Sequence, residues 1–146
     1  MAPLIVLVIS IAAFRLAGFG VPYFADWQIA LRAALGAMFL LTASAHWGKR
    51  RPDLVRMVPQ TFAAPGMWVT LTGIAELVAV AGLQVPRVAP LAAAMAALML
   101  LCVFPANVKA AREHLTIGGR PVPGLGVRTA IQVVFLSALV AAMWPR

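Results

Sequence analysis

Acidic side chains are the scarcest feature of this chain. Four Asp and Glu stand among 146 residues, against twelve Lys and Arg, for a formal charge of +8. Charged residues of both signs make up 11%, where a soluble domain carries roughly 25%. There is one cysteine, Cys102. It excludes an internal disulfide and any Cys-x-x-Cys redox motif within one chain. No metal-ligand cluster, phosphate-cradling glycine loop or nucleophile elbow is present, so the usual sequence signals of hydrolase and transferase chemistry are missing. His46 and His114 lie in or near expected loops, and neither has a second histidine at helical spacing. That leaves no evident axial pair for haem. Low-complexity tails and internal repeats are absent too.

What is abundant is apolar surface. Hydrophobic residues are 63% of the chain, against about 45–50% in a soluble domain. A chain this short leaves much of its surface exposed, so lipid has to solvate much of it. The positive charge alone would suit nucleic acid. The basic residues, however, sit at the ends of apolar runs, as the loop charges of a membrane protein do, and we expect no nucleic-acid partner.

Five apolar runs are expected to form membrane helices near 3–22, 29–47, 66–84, 88–108 and 126–144. Residues 3–24 lack the basic start and small-x-small cleavage site of a signal peptide, and Arg15 interrupts them. Gly18, Gly20 and Pro22 end the run. The second run is rich in alanine and glycine, which let helices approach closely in lipid. Residues 50–65 form a loop lying in the interface, where Pro52, Pro59 and Pro65 prevent one continuous helix. Short connections make neighbouring runs antiparallel. The 48–65 and 109–128 loops then share one side, carrying Lys49, Arg50, Arg51, Arg56, Lys109, Arg112, Arg120 and Arg128. The positive-inside rule puts that side in the cytoplasm, with the N-terminus inside and the C-terminus outside. The expected location is a cell membrane, the bacterial inner membrane, crossed several times.

Four polar features carry the functional argument. Glu76 stands alone as an acid within a long apolar run. Counted from Gly66 it lies about 15 Å along its helix, near the midplane of a core roughly 30 Å thick. A buried carboxylate is costly unless paired or protonated. It is therefore either a structural partner, for which Arg15 is at comparable depth, or a proton carrier. Thr72 lies one turn earlier on the same face, and Gly73 adjoins it. His46, at the cytoplasmic end of its helix, is an interface residue or a proton-transfer group. Asn107, with Pro105 and Lys109, reads most plainly as a helix terminus. His46, Asn107 and Lys109 at similar depth would also form a polar vestibule beneath Glu76. Trp68 belongs to a set with Met57, Met67, Met95 and Met99 that packing explains by default; beside Thr72 it is also a candidate ligand contact. No metal ligands are expected.

Several stretches together resemble the DoxX-like family of small membrane proteins. They are Ala43-Ser-Ala-His46-Trp47, Arg56-Met-Val-Pro59, Pro65-Gly-Met-Trp68-Val-Thr-Leu-Thr-Gly73-Ile-Ala-Glu76-Leu, and Phe104-Pro-Ala-Asn107-Val. In the family pattern the histidine is usually followed by Phe; here it is Trp47. The resemblance covers about residue 30 to the end. It implies one all-α membrane domain, a polytopic helix bundle with a four-helix core over 29–146 and an additional N-terminal transmembrane helix within 1–24. It marks His46, Glu76 and Asn107 as the positions matching the family's polar pattern, and it carries no agreed catalytic list. Members resemble membrane subunits of quinone-linked sulfur oxidation, parts of redox assemblies, or an assembly chaperone.

Two functions follow as expectations. One is a membrane subunit of a quinone-linked redox system. A quinone needs an apolar slot with polar groups that exchange protons with its carbonyls. Glu76 and His46 would be the catalytic candidates, and Glu76, His46, Asn107, Trp68 and Thr72 the binding ones. With one cysteine and no evident cofactor motif, a membrane or peripheral partner must bring the redox centre. The alternative is a non-catalytic assembly factor, accessory subunit or binder of a hydrophobic molecule, which could also form a homo-oligomer.

Overall fold

The computed structural model describes residues 1–144 and is an all-α bundle of membrane type. Helix α1 spans Ala2–Ala17, followed by a 3-10 turn at Pro22–Ala25. Then come α2 (Trp27–Trp47), α3 (Arg51–Met57), α4 (Pro65–Gln84) and α5 (Ala89–Arg112). Two short strands, β1 (Thr116–Ile117) and β2 (Arg120–Pro121), precede α6 (Leu125–Met143).

Among the described residues, four helices are long and apolar enough to cross a membrane: α2, α4, α5 and α6. Helix α1 is shorter than the expected span. Its 16 residues reach about 24 Å, and it stops at Ala17 because the chain folds back at Gly18. A Cβ there would sit 2.8 Å from the Phe24 carbonyl oxygen. Phe14 stacks on Phe24 across this turn at 4.9 Å.

The four long helices form a closed ring in the order α2, α4, α5, α6, with α1 laid against the outer side of α2. Side-chain pairings fix the directions. Gly73 meets His46 while Gln84 meets Arg32, so α2 and α4 are antiparallel. Gln132 donates to the Leu100 carbonyl at 2.6 Å, and Arg128 reaches Asn107, so α5 and α6 are antiparallel. The buried positions repeat at helical spacing: Val69, Gly73, Glu76, Ala79 and Leu83 on α4, and Gln132, Phe135, Leu139 and Ala142 on α6. Alternation of three and four residues gives one inward stripe per helix. The outward positions are apolar as well, among them Leu71, Ile74 and Val78 on α4 and Leu91, Met95 and Leu98 on α5. Outward apolar side chains on every long helix mark lipid as their solvent.

Two expectations about the basic end change. The 50–65 segment is not only loop, because α3 forms within it. Pro52 falls in the first turn, where its missing N–H is no loss. Helix α5 does not end at 108. It runs through Pro105 to Arg112 and closes with the Glu113 and Leu115 N–H groups on the Lys109 and Ala110 carbonyls. His114, at φ 50°, takes the left-handed position of that cap. The hairpin between β1 and β2 turns on Gly118 and Gly119, both at positive φ, as a two-residue turn of this hand requires.

Candidate functional site

The α4 stripe carries Glu76 inward, and α2 meets it there. Gly73 makes the meeting close: a Cβ at that position would lie 2.8 Å from both Cβ and Cγ of His46 and 2.8 Å from the Trp47 ring. With no side chain in the way, the imidazole reaches the carboxyl group one turn further along α4. His46 Nδ1 is 3.7 Å from Glu76 Oε2. That is within ion-pair range but too long for a hydrogen bond. Both residues are buried, each 8% exposed.

The imidazole is fixed on both edges. Nδ1 lies 3.1 Å from the Thr42 carbonyl oxygen, one turn back on α2. Nε2 lies 3.3 Å from the Thr72 hydroxyl. Thr72 in turn donates to the Trp68 carbonyl at 2.9 Å or the Val69 carbonyl at 3.1 Å. The Thr42 hydroxyl donates to the Phe39 carbonyl at 3.1 Å. Glu76 Oε2 itself is buried with no hydrogen-bond partner among the described residues. A buried polar atom left unsatisfied costs about 1–3 kcal/mol, so this arrangement is not the one packing alone would select. What it offers chemically is a carboxyl group and an imidazole side by side in an apolar surround.

Helix α2 ends here. Arg51, in the first turn of α3, donates to the His46 carbonyl at 2.7 Å and reaches α4 at the Gly66 carbonyl and the Thr70 hydroxyl. The site therefore lies beside the basic end of α2. The first two turns of α4 project past it, flanked by α3.

The structure sorts the candidate residues. It brings His46, Glu76 and Thr72 together. Asn107 is elsewhere: its side-chain oxygen accepts from Arg128 on α6. Lys109 donates to the carbonyls of Arg56 and Val58 and so closes the end of α3. The vestibule of His46, Asn107 and Lys109 beneath Glu76 does not form, because His46 stands level with Glu76. Trp68 faces outward, its indole N–H on the Ala63 carbonyl and its ring edge-on to Phe62. The pairing of Arg15 with Glu76 fails as well. Arg15 is in the last turn of α1 and donates to the Ala25 carbonyl.

Sequence reasoning missed Thr42 and Arg51. Thr42 stands one turn before His46, and that spacing was available as a signal. Arg51 carried none, being one of three consecutive basic residues. Also missed was Arg32, buried at the opposite end, whose guanidinium donates twice to the Ala142 carbonyl at 3.1 and 2.9 Å.

Among the described residues, no three of His, Cys, Asp and Glu converge as metal ligands. No curated protein and no solved structure matches the chain. Residues 35–144, which include α4, α5, α6, His46 and Glu76, match a family described as a domain of unknown function, DUF8561, and the chain belongs to that family.

Proposed function

We propose that this protein is the membrane subunit of a quinone-linked redox system, in which Glu76 and His46 exchange protons with the carbonyl oxygens of a quinone. Reduction to the quinol takes two electrons and two protons. A partner protein supplies the electrons, and the carboxyl and imidazole groups supply or relay the protons. The observation that supports this reading is Glu76 Oε2, buried beside an imidazole with no hydrogen-bond partner among the described residues. Ionisable groups inside a membrane bundle are expensive and mark functional sites by default. The DoxX-like resemblance points the same way. We further propose that the basic end faces the cytoplasm of a bacterial inner membrane, from the bias of Lys and Arg toward that end.

A second reading, as a non-catalytic accessory subunit or assembly factor, is favoured by the contact at Gly73. There α2 and α4 approach without room for one methyl group, as in a site that locks two helices together. One experiment separates the two. The protein is purified in mild detergent, and its bound lipids and proteins are identified by mass spectrometry. Quinone retained by the natural protein and lost in Glu76→Gln supports the redox reading. A stoichiometric partner without a redox cofactor, and no quinone, overturns it.

A further inference from the structure

A second place on the molecule combines charge with a cavity, and it is independent of the quinone reading. At the basic end, an opening of about 350 Å³ lies between the loop after α3 and the last turns of α5. Pro59, Pro105 and Val108 make its apolar wall, and Gln60, Lys109 and Arg112 its polar rim. Clefts of about 300–1,000 Å³ with a few placed polar groups are the size that holds small ligands.

We propose that this opening binds the headgroup of an anionic phospholipid, with one acyl chain running up α5. Three observations carry this. The first is a fixed cation: Lys109 Nζ donates to the Arg56 and Val58 carbonyls at 2.8 and 2.9 Å. Its charge is held in place, and an ammonium still has a third N–H to give. The second is Arg112, exposed and without a partner among the described residues. A guanidinium fork suits two phosphate oxygens at once. Glu113 also lines the opening, and the two cations outweigh it by one charge. The third is the face that leads into the opening. Leu98, Leu101, Pro105, Val108 and Arg112 recur at intervals of three and four residues, which puts them on one side of α5. Leu98, Leu101, Pro105 and Arg112 are exposed and Val108 is half-buried. From Leu98 to Arg112 this stripe spans about 21 Å, enough to cross one leaflet of a core roughly 30 Å thick. An apolar stripe ending in a cationic cleft fits an amphiphile, and a free phosphate would have no use for the stripe.

The test uses the full chain in detergent, exchanged with equal amounts of phosphatidylglycerol and phosphatidylcholine, and counts retained lipids by native mass spectrometry. The natural protein should retain phosphatidylglycerol in preference. Arg112→Gln should lower that retention about fivefold, the effect of one interfacial cation. Arg112→Lys should keep most of it, which guards against a folding defect. Arg120→Gln removes the same charge from the hairpin, outside the opening, and should leave retention unchanged. Equal losses from Arg112→Gln and Arg120→Gln would mean a diffuse basic surface and overturn the site. So would equal retention of the two lipids, or displacement of phosphatidylglycerol by millimolar inorganic phosphate.

Discussion

Replacing Glu76 with Leu should make the protein more stable. Oε2 is buried without a hydrogen-bond partner among the described residues, and Nδ1 of His46 at 3.7 Å is beyond hydrogen-bonding distance. Leucine is close in volume and leaves nothing unsatisfied. The penalty for an unsatisfied buried polar atom, about 1–3 kcal/mol, is then removed, and stability should rise by a similar amount. Glu76→Gln keeps the shape and leaves a polar atom in the same buried place, so it should not gain that stability. Both variants should lose function if the carboxyl group exchanges protons. The opposite outcome has a definite origin. If Glu76 and His46 form a buried ion pair that holds α2 to α4, removing one charge strands the other and costs about 3–5 kcal/mol. Adding His46→Phe to Glu76→Leu would then recover most of the loss. Thermal unfolding in mild detergent, run on both single variants and the double, distinguishes these cases. A destabilised Glu76→Leu rescued by His46→Phe would refute the claim that the carboxyl group is kept for chemistry.

Gly73→Ala should displace His46 from Glu76, because the new methyl would lie 2.8 Å from the imidazole carbon and the Trp47 ring. Overpacking of this kind costs about 1–3 kcal/mol, read as a lower unfolding midpoint, and quinone retention should fall with it. The hairpin should detach from α3 in acid. Asp53 Oδ2 accepts the Gly118 N–H at 2.7 Å. That bond first, and the Arg56 guanidinium after it, hold the Asp53 carboxyl below the usual carboxylate range. A lowered pKa gives a contribution fully present above the ordinary carboxylate pKa and lost as pH falls through the lowered one. Protection of the amides at residues 116–120, measured against their intrinsic exchange rates, should therefore be lost only in strong acid, and in Asp53→Ala it should be weak at every pH. A reporter fused after α6 that is active only in the cytoplasm should be silent; a signal from it would reverse the proposed orientation.

Much of the fold was legible because it follows from periodicity and length. The inward stripe of α4 places Glu76 between Gly73 and Ala79 at intervals of three, and an acid in an apolar run is visible in any sequence. The company it keeps was not legible. Depth counted along one helix gives depth in the bundle only if helices start level, and these do not. Helix α4 begins two turns past the end of α2, flanked by α3, so the last turn of α2 meets the middle of α4. That stagger depends on Arg51 bridging α2 and α4, a tertiary contact that no local pattern announces. Asn107 was misplaced for a related reason. Pro105 removes one helical hydrogen bond, yet packing carries α5 on to Arg112, and Asn107 meets Arg128 instead of a loop.

The scarcity of acid explains why Glu76 stands as it does. With twelve cations and four acids, most basic side chains cannot find a carboxylate, and several end on backbone carbonyls instead. Arg15 takes the carbonyl closing the 3-10 turn, Arg51 one near the end of α2, and Lys109 those at the end of α3. Carbonyls at helix ends lack partners and carry the negative end of the helix dipole, so this arrangement satisfies charge and backbone together. It also draws the cations to the ends of the bundle. The Glu76 carboxyl group, on an inward stripe, is left with the His46 imidazole 3.7 Å away. Histidine is the one basic side chain whose charge is easily gained and lost near neutral pH. Pairing Glu76 with an arginine would lock its proton state; an imidazole beside it does not, and that is what the proposed proton exchange would need.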